Sequence, residues 1–352
     1  MPKNTNKRRS IWWKAGLLFT LLLILGGVMT VSWAVSEYDR ARESTIQQLE
    51  EEGKSVPSEE EIEFNPEEAE DEDADEESSS LDYISILLVG VDNDNGAERT
   101  DTILLGQYHP STGDVKMASL MRDMYVDIPG RGRNKINAAF AYGGMELLRQ
   151  TIKENFDYDV DHYAQVDFDG FEEVVDTLAP DGIEVEVEDR MYYEDRAGDL
   201  LIDFDEGEQL MDGEEALQYV RFRADSNNDF GRVARQQQML QVLQNELLSV
   251  SGITQVPALL GSIEPFINTS LSNGRLISYA RDFVRNGDST SFDSITIPEA
   301  GGYEYATYSH AGSVLEPDFD SNIELMDEFF ALEDSDEESD ETAASERHGM
   351  RE

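Results

Sequence analysis

The amino-acid sequence predicts an α/β fold: a mixed central β-sheet flanked by helices on both faces, preceded by one transmembrane helix. Three observations lead there. Residues 81–332, about 250 positions, alternate short apolar runs with stretches of helical periodicity. Two of the apolar runs flank a Pro/Gly turn and read as an antiparallel hairpin, so the sheet is mixed rather than purely parallel. Ahead of this block stands one uncharged run long enough to cross a bilayer.

That run comes first in the chain. Residues 1–14 hold five bases, Lys3, Lys7, Arg8, Arg9 and Lys14, and no acid. Residues 15–36, AGLLFTLLLILGGVMTVSWAVS, carry no charge, and at ~1.5 Å per residue they cover a ~30 Å hydrocarbon core. The basic flank keeps the short N-terminus cytoplasmic, which makes the chain a single-pass protein of the cell membrane with everything after about Ser36 outside. A cleaved signal peptide is the competing reading, but the run exceeds the usual ~7–15 residue signal core. Residues 37–80 read as a solvated acidic stalk, with 37–49 at most prolonging the membrane helix. The stretch EEEGKSVPSEEEIEFNPEEAEDEDADEESSS has too little apolar surface to offset the entropy of ordering. Residues 333–352 have the same character and read as a disordered tail.

Within 81–332, Tyr83–Val91 reads as a strand, and Thr102–Tyr108 and Val115–Met121 form the hairpin around HPSTGD. Met145–Phe156 and Phe168–Leu178 place apolar residues at helical spacing, and Ile183–Val187 is another strand. MDGEEALQYVRFR opens a helix at Asp212, with Glu215 three residues on completing a capping box. RVARQQQMLQVLQNELL is the strongest helix signal, followed by a helix over Gly274–Asn286 and a strand over Phe292–Ile297.

Composition narrows the chemistry. There is no cysteine, so disulfides and thiolate metal sites are excluded, and the four histidines lack the spacing of a zinc site. Setting aside the five bases before residue 36 leaves about −54 of the net −49 on the exported part, a field that disfavours nucleic acid. Lysine is scarce beyond the anchor, and so acidic a surface suits a salt-loving or alkaline-living host.

Against that background the arginines stand out. Arg99, Arg122, Arg131, Arg133, Lys135, Arg221, Arg223, Arg232 and Arg235 occupy two short windows near expected strand and helix ends. Arginine's planar fork suits phosphate oxygens and stays charged at any biological pH. Asp92 leaves the end of the first strand and Asp101 opens the next, so both can face one crevice and hold a hard cation. Arg122 and Asp123 end the hairpin, while Arg232 and Gln236 share a helix face at i and i+4. A helix start beside arginines cradles a diphosphate. Each feature has a plainer reading: Asp92 or Asp101 as a turn former, Arg221 and Arg223 as complements to a helix C-terminus, Arg232 and Arg235 as a solvated face. Only the whole set favours a site.

ILLVGVD, ERTDTILL, SLMRDMYVDIPG, KINAAFAYGG, YAQVDFDGFEEVVD, GEQLMDGEEALQYVRFR and DFGRVARQQQML, in this order between about Ile86 and Leu248, resemble the motifs of the LytR-CpsA-Psr family. Met121 stands where the family usually has proline, and residues beyond about 253 match less recognisably. The resemblance implies an α-β-α domain and a phosphotransferase. Such an enzyme moves a glycopolymer from an undecaprenyl diphosphate carrier onto peptidoglycan, usually at the muramic acid 6-hydroxyl. It implies that Asp92 and Asp101 hold Mg2+ (or Mn2+), that Arg99, Arg122, Arg221, Arg223, Arg232 and Gln236 surround the diphosphate, and that an apolar tunnel takes the polyprenyl tail. Asp92 or Asp123, near Arg122, is then left to accept the hydroxyl proton. Two alternatives stay open: a hydrolase passing the phosphoryl group to water, and a non-catalytic regulator binding an anionic wall polymer. The polymer itself, teichoic acid, capsule, teichuronic acid or glycosylated protein, is not written in these motifs.

Overall fold

A computed structural model describes residues 32–52, 54, 83–92, 99–195, 200–224, 228–286 and 291–330. Its elements are a helix over 32–52 (α1), β1 (Ile84–Asp92), β2 (Arg99–Tyr108), β3 (Val115–Leu120), β4 (Tyr125–Ile128), β5 (Gly132–Lys135), α2 (Ile136–Phe156), β6 (His162–Val166) and α3 (Phe168–Leu178). Then come β7 (Ile183–Val187), β8 (Met191–Asp195), β9 (Leu200–Phe204), β10 (Gly207–Met211), α4 (Gly213–Arg221), α5 (Asn228–Leu248) and α6 (Val250–Ile263). A single 3-10 turn leads to β11 (Ile267–Thr269), α7 (Asn273–Asn286), β12 (Phe292–Ile297), β13 (Tyr303–Tyr308), β14 (Gly312–Pro317) and α8 (Phe319–Phe330).

Six strands make the central sheet in the order β11-β6-β1-β2-β3-β12. β1 pairs antiparallel with β2 and parallel with β6, and β3 pairs antiparallel with β2 and parallel with β12, so the sheet is mixed as expected. Alternation sorts the side chains onto two faces. Leu87, Val89, Val91, Ile103, Leu105, Ala118 and Leu120 point one way and are buried against Ile136, Phe140, Leu148 and Ile152 of α2 and Met326 and Phe330 of α8. On the other face, α5 lies over β3, where Gln237 Nε2 donates to Ser119 Oγ at 2.9 Å, and α7 packs Tyr279 on Tyr108 with ring centroids 5.9 Å apart. Helices therefore cover both faces. A second core gathers Val175, Ile183, Val185, Met211, Tyr219 and Met239 where α3, α4 and α5 meet the β7–β10 pair.

Local signals explain several boundaries. Asp212 caps α4 and forms the expected capping box with Glu215. The helix expected to begin at Met145 is the second half of α2, which breaks at Gly143 and Gly144; Gly144 sits at φ 64°, a region glycine enters without strain.

The stalk expected from residue 37 needs correction. Its first part, 37–52, belongs to α1, which lies on the domain. Tyr38, Thr45 and Leu49 are buried along one face. On that face Arg42 Nε donates to Glu264 Oε2 at 2.8 Å, and just past the helix Lys54 Nζ lies 2.8 Å from Asp169 Oδ1. Their spacing, 38, 42, 45 and 49, is that of one helical face. Residues 55–80, the acidic tail over 333–352 and nearly all of the 15–36 segment lie outside the described residues; only 32–36 are inside, opening α1. Among the described residues no helix is long and apolar enough to cross a membrane.

The α1 contact is close. A Cβ at Gly261 of α6 would fall well inside contact distance of the Tyr38 carbonyl oxygen. Gly261→Ala is therefore expected to push α1 off the domain while leaving the sheet intact, seen as faster amide exchange confined to 32–52 and its α6 contacts.

Candidate active site

The site grows from an irregularity at the open end of the β1–β2 ladder. Gly90 pairs with Thr102 but Val91 pairs with Thr100, so Asp101 is the extra residue of a β-bulge and is turned out of the ladder. Thr100 compensates: its buried hydroxyl reaches the carbonyl oxygens of Gly90 and Thr102 at 3.0 and 2.9 Å. Gly90 allows this crossing, since a Cβ there would meet the Thr102 Cβ at 3.0 Å.

Three arginines from separate elements converge on Asp101. Arg122, just past β3, donates from Nη1 to Asp101 Oδ1. Arg223, beyond the end of α4, donates from Nη2 to Asp101 Oδ2 at 2.6 Å. Arg232, in the second turn of α5, places Nη1 3.9 Å from Asp101 Oδ1 and Nη2 3.5 Å from Asp229 Oδ1. Asp229 also accepts from Arg122 Nε at 3.3 Å. Beside them Asp123 pairs with Lys135 at 2.7 Å and lies 3.9 Å from Arg122 Nε.

Burial sharpens the electrostatics. The Arg232 side chain is only 2% exposed, yet its Nε and Nη1 have no hydrogen-bond partner. Burial, then repulsion from Arg223 and Arg122, pulls its guanidinium down to about 10. Burial pushes the Asp101 carboxyl up, but Arg122, Arg223 and Arg232 outweigh it and hold it at about 2. At Asp229 the same contest also ends below the usual carboxylate range, with Arg232 and Arg122 prevailing over burial. Unsatisfied buried donors are costly, and Nε and Nη1 of Arg232 are two such donors.

Among the residues expected at the site, Asp101, Arg122, Asp123, Arg223 and Arg232 come together. Gln236 lies alongside on the next turn of α5, donating to Thr102 Oγ1 at 2.9 Å. Arg221 does not join them: it ends α4 with its guanidinium 4.2 Å from the centre of the Phe168 ring. Asp92 and Arg99 face each other across the last rung of the ladder, but their side chains lie outside the described residues. Asp229 was not foreseen. Its signal was an acid in the first turn of α5, three residues before Arg232, where carboxylates ordinarily just complement the helix end. Among the described residues no group of three or more acidic or histidine side chains gathers as a metal-binding set.

Behind this cluster, the sheet face beneath α5 and α7 is less tightly filled than the opposite one. Ile86 and Leu88 of the central strand stay half-buried there, whereas Leu87 and Val89 on the other face are at most 2% exposed.

The family model LytR_cpsA_psr matches residues 41–322. The regulatory protein MsrR of Staphylococcus aureus (strain COL) is 36% identical over 247 residues, covering 70% of this chain and 74% of MsrR. The polyisoprenyl-teichoic acid–peptidoglycan teichoic acid transferase TagU of Oceanobacillus iheyensis is 30% identical over 289 residues, covering 78% and 82%. The solved structure of TagT bound to LIIa-WTA, a protein of B. subtilis, superposes with a TM-score of 0.56 at 25% identity, covering 79% of this chain and 97% of that one. The ordered motifs, the mixed sheet with helices on both faces, and these matches agree that the chain belongs to the LytR-CpsA-Psr family.

Proposed function

We propose that this chain is a phosphotransferase that takes an anionic glycopolymer from an undecaprenyl diphosphate carrier and joins it by a phosphodiester to peptidoglycan, at the muramic acid 6-hydroxyl. The observation that carries this reading is Arg232, buried beside Arg122 and Arg223 with two nitrogens that make no hydrogen bond. Three guanidiniums gathered on Asp101 and Asp229 outnumber those two carboxylates, and a bound anion would balance the third. TagU, named as a teichoic acid transferase acting on peptidoglycan, supports the choice of reaction.

The chemistry follows from the charges. The acceptor hydroxyl oxygen forms a bond to the sugar-linked phosphorus, the bridging P–O bond breaks, and undecaprenyl monophosphate leaves. Charge builds on the phosphoryl oxygens, where Arg122, Arg223 and Arg232 stabilise it from fixed positions. Arg122 is tied down by Asp101 and Asp229, so its fork needs little reorganisation. Asp123, held by Lys135, is the described carboxylate placed to accept the hydroxyl proton. Gln236 steadies the neighbouring β2 backbone through Thr102. The half-buried Ile86 and Leu88 offer apolar contact to a polyprenyl tail.

Asp92 and Asp101 stand at the adjoining ends of two paired strands, and Asp101 is ionised at any working pH. Carboxylate oxygens are the ligand type a hard cation takes, and we assign this pair Mg2+ or Mn2+, which would neutralise diphosphate charge when bound. The 15–36 segment anchors the chain in the cell membrane with its N-terminus cytoplasmic and this domain outside, where donor, peptidoglycan and bilayer meet.

The test is direct. Full-length chain incubated with lipid-linked glycopolymer and peptidoglycan should yield muropeptides whose mass includes a phosphodiester-linked sugar. Polymer released only to water, or none released, would overturn the assignment.

A further inference from the structure

The β13–β14 hairpin carries a feature that neither the fold nor the phosphate chemistry requires. Tyr305 is 73% exposed, the most exposed of the large apolar and aromatic side chains described. It alternates with Tyr303 on one face of β13, ring centroids 5.3 Å apart and planes at 86°. Tyr303 in turn stacks on Phe230 at 5.5 Å and 25°, and Phe230 follows Asp229 in α5. An aromatic step thus leads outward from the charged cluster to solvent.

The hairpin is fixed beside the reacting groups. Tyr305 pairs with Leu315 across the hairpin, and the Leu315 N–H donates to the Asp123 carbonyl at 3.0 Å. Met124 bridges to the same residue. The exposed Tyr305 is not an isolated ring, since it continues the Phe230–Tyr303 contact out to solvent. Held this way through the main chain of Asp123, it has the makings of a binding platform.

We propose that Tyr303 and Tyr305 form the acceptor platform, seating an uncharged pyranose ring of the peptidoglycan glycan strand so that its neighbour's hydroxyl reaches Asp123. This rests on the transferase reading above. Sugar rings present C–H faces that lie on aromatic rings, while their hydroxyl and acetamido groups meet polar edges. The Tyr303 and Tyr305 hydroxyls, 3.5 Å apart, supply such an edge.

Tyr305→Ala in the full-length protein tests this. The acceptor KM should rise about three- to tenfold, the weight of one ordinary aromatic contact, with the KM for lipid-linked donor unmoved. Tyr305→Phe should restore most of the loss. An N-acetylglucosamine tetramer added to the wild-type protein should perturb the Tyr305 ring resonances, and Tyr305→Ala should abolish its binding. That arm needs no turnover, so it judges the platform even where wild-type protein transfers nothing, a failure that would count against the transferase reading alone. An unchanged acceptor KM, a raised donor KM, or oligosaccharide binding that survives Tyr305→Ala would overturn the platform.

Discussion

Arg122→Ala is expected to lower glycopolymer transfer by about 10²–10³-fold or more while the domain stays folded, the range for removing one preorganised donor from a transition-state charge. Arg122 bridges Asp101 and Asp229, the two carboxylates that position the pocket, so its loss removes both a charge and the part that aligns its neighbours. Folding should survive because Asp101 keeps Arg223 at 2.6 Å and Arg232 nearby. Arg122→Lys should recover only part of the rate, since an ammonium has no fork to span two acids. Single-turnover transfer with saturating donor measures this, with circular dichroism to confirm the fold. Activity within threefold of wild type would remove Arg122 from the mechanism.

Asp101→Asn is the second large effect, and it has a pH signature. The substitution keeps the shape but leaves three arginines facing one another without their shared counter-charge, and transfer should fall by at least about 10²-fold. Stability should fall too. The folded carboxyl titrates at about 2 against an ordinary 3.8, so its stabilisation is present above pH 3.8 and is lost as pH drops toward 2. That difference corresponds to about 2 kcal/mol at neutral pH. Denaturant unfolding in chelator should therefore show wild type and Asp101→Asn well separated at pH 7 and converging below pH 4. Parallel curves over the whole range would mean that the arginines do not hold Asp101 as described.

How much of this was written in the sequence depends on the kind of signal. β1 and β2 carry continuous apolar runs, β2 and β3 flank a Pro/Gly turn, and the Asp212 capping box is a local motif, so all were legible. β13 was not: YEYATY mixes exposed tyrosines with glutamate and has no apolar face of its own. α6 carries Pro257 inside the helix, a residue that ordinarily argues against one. At the site, motif spacing located Asp101 but not its bulge, because the displaced register shows only when both strands are in place. Arg221 and Arg223 looked equivalent, but Arg221 is still helical while the chain turns extended at Phe222, so only Arg223 reaches Asp101. Asp229 stayed hidden because its partner Arg122 is 107 residues away.

Helix α1 has one more consequence. α1 is a helical rod held against the domain from Tyr38 to Leu49, ~18 Å at ~1.5 Å per residue. In the proposed topology this rod leaves the bilayer, so it sets the altitude of the pocket above the lipid headgroups. The acidic segment after Lys54 comes later in the chain than this rod, between it and β1, and its length has no bearing on that altitude. Evolution can therefore lengthen, shorten or recharge that segment freely without moving the chemistry away from a substrate whose tail stays in the membrane.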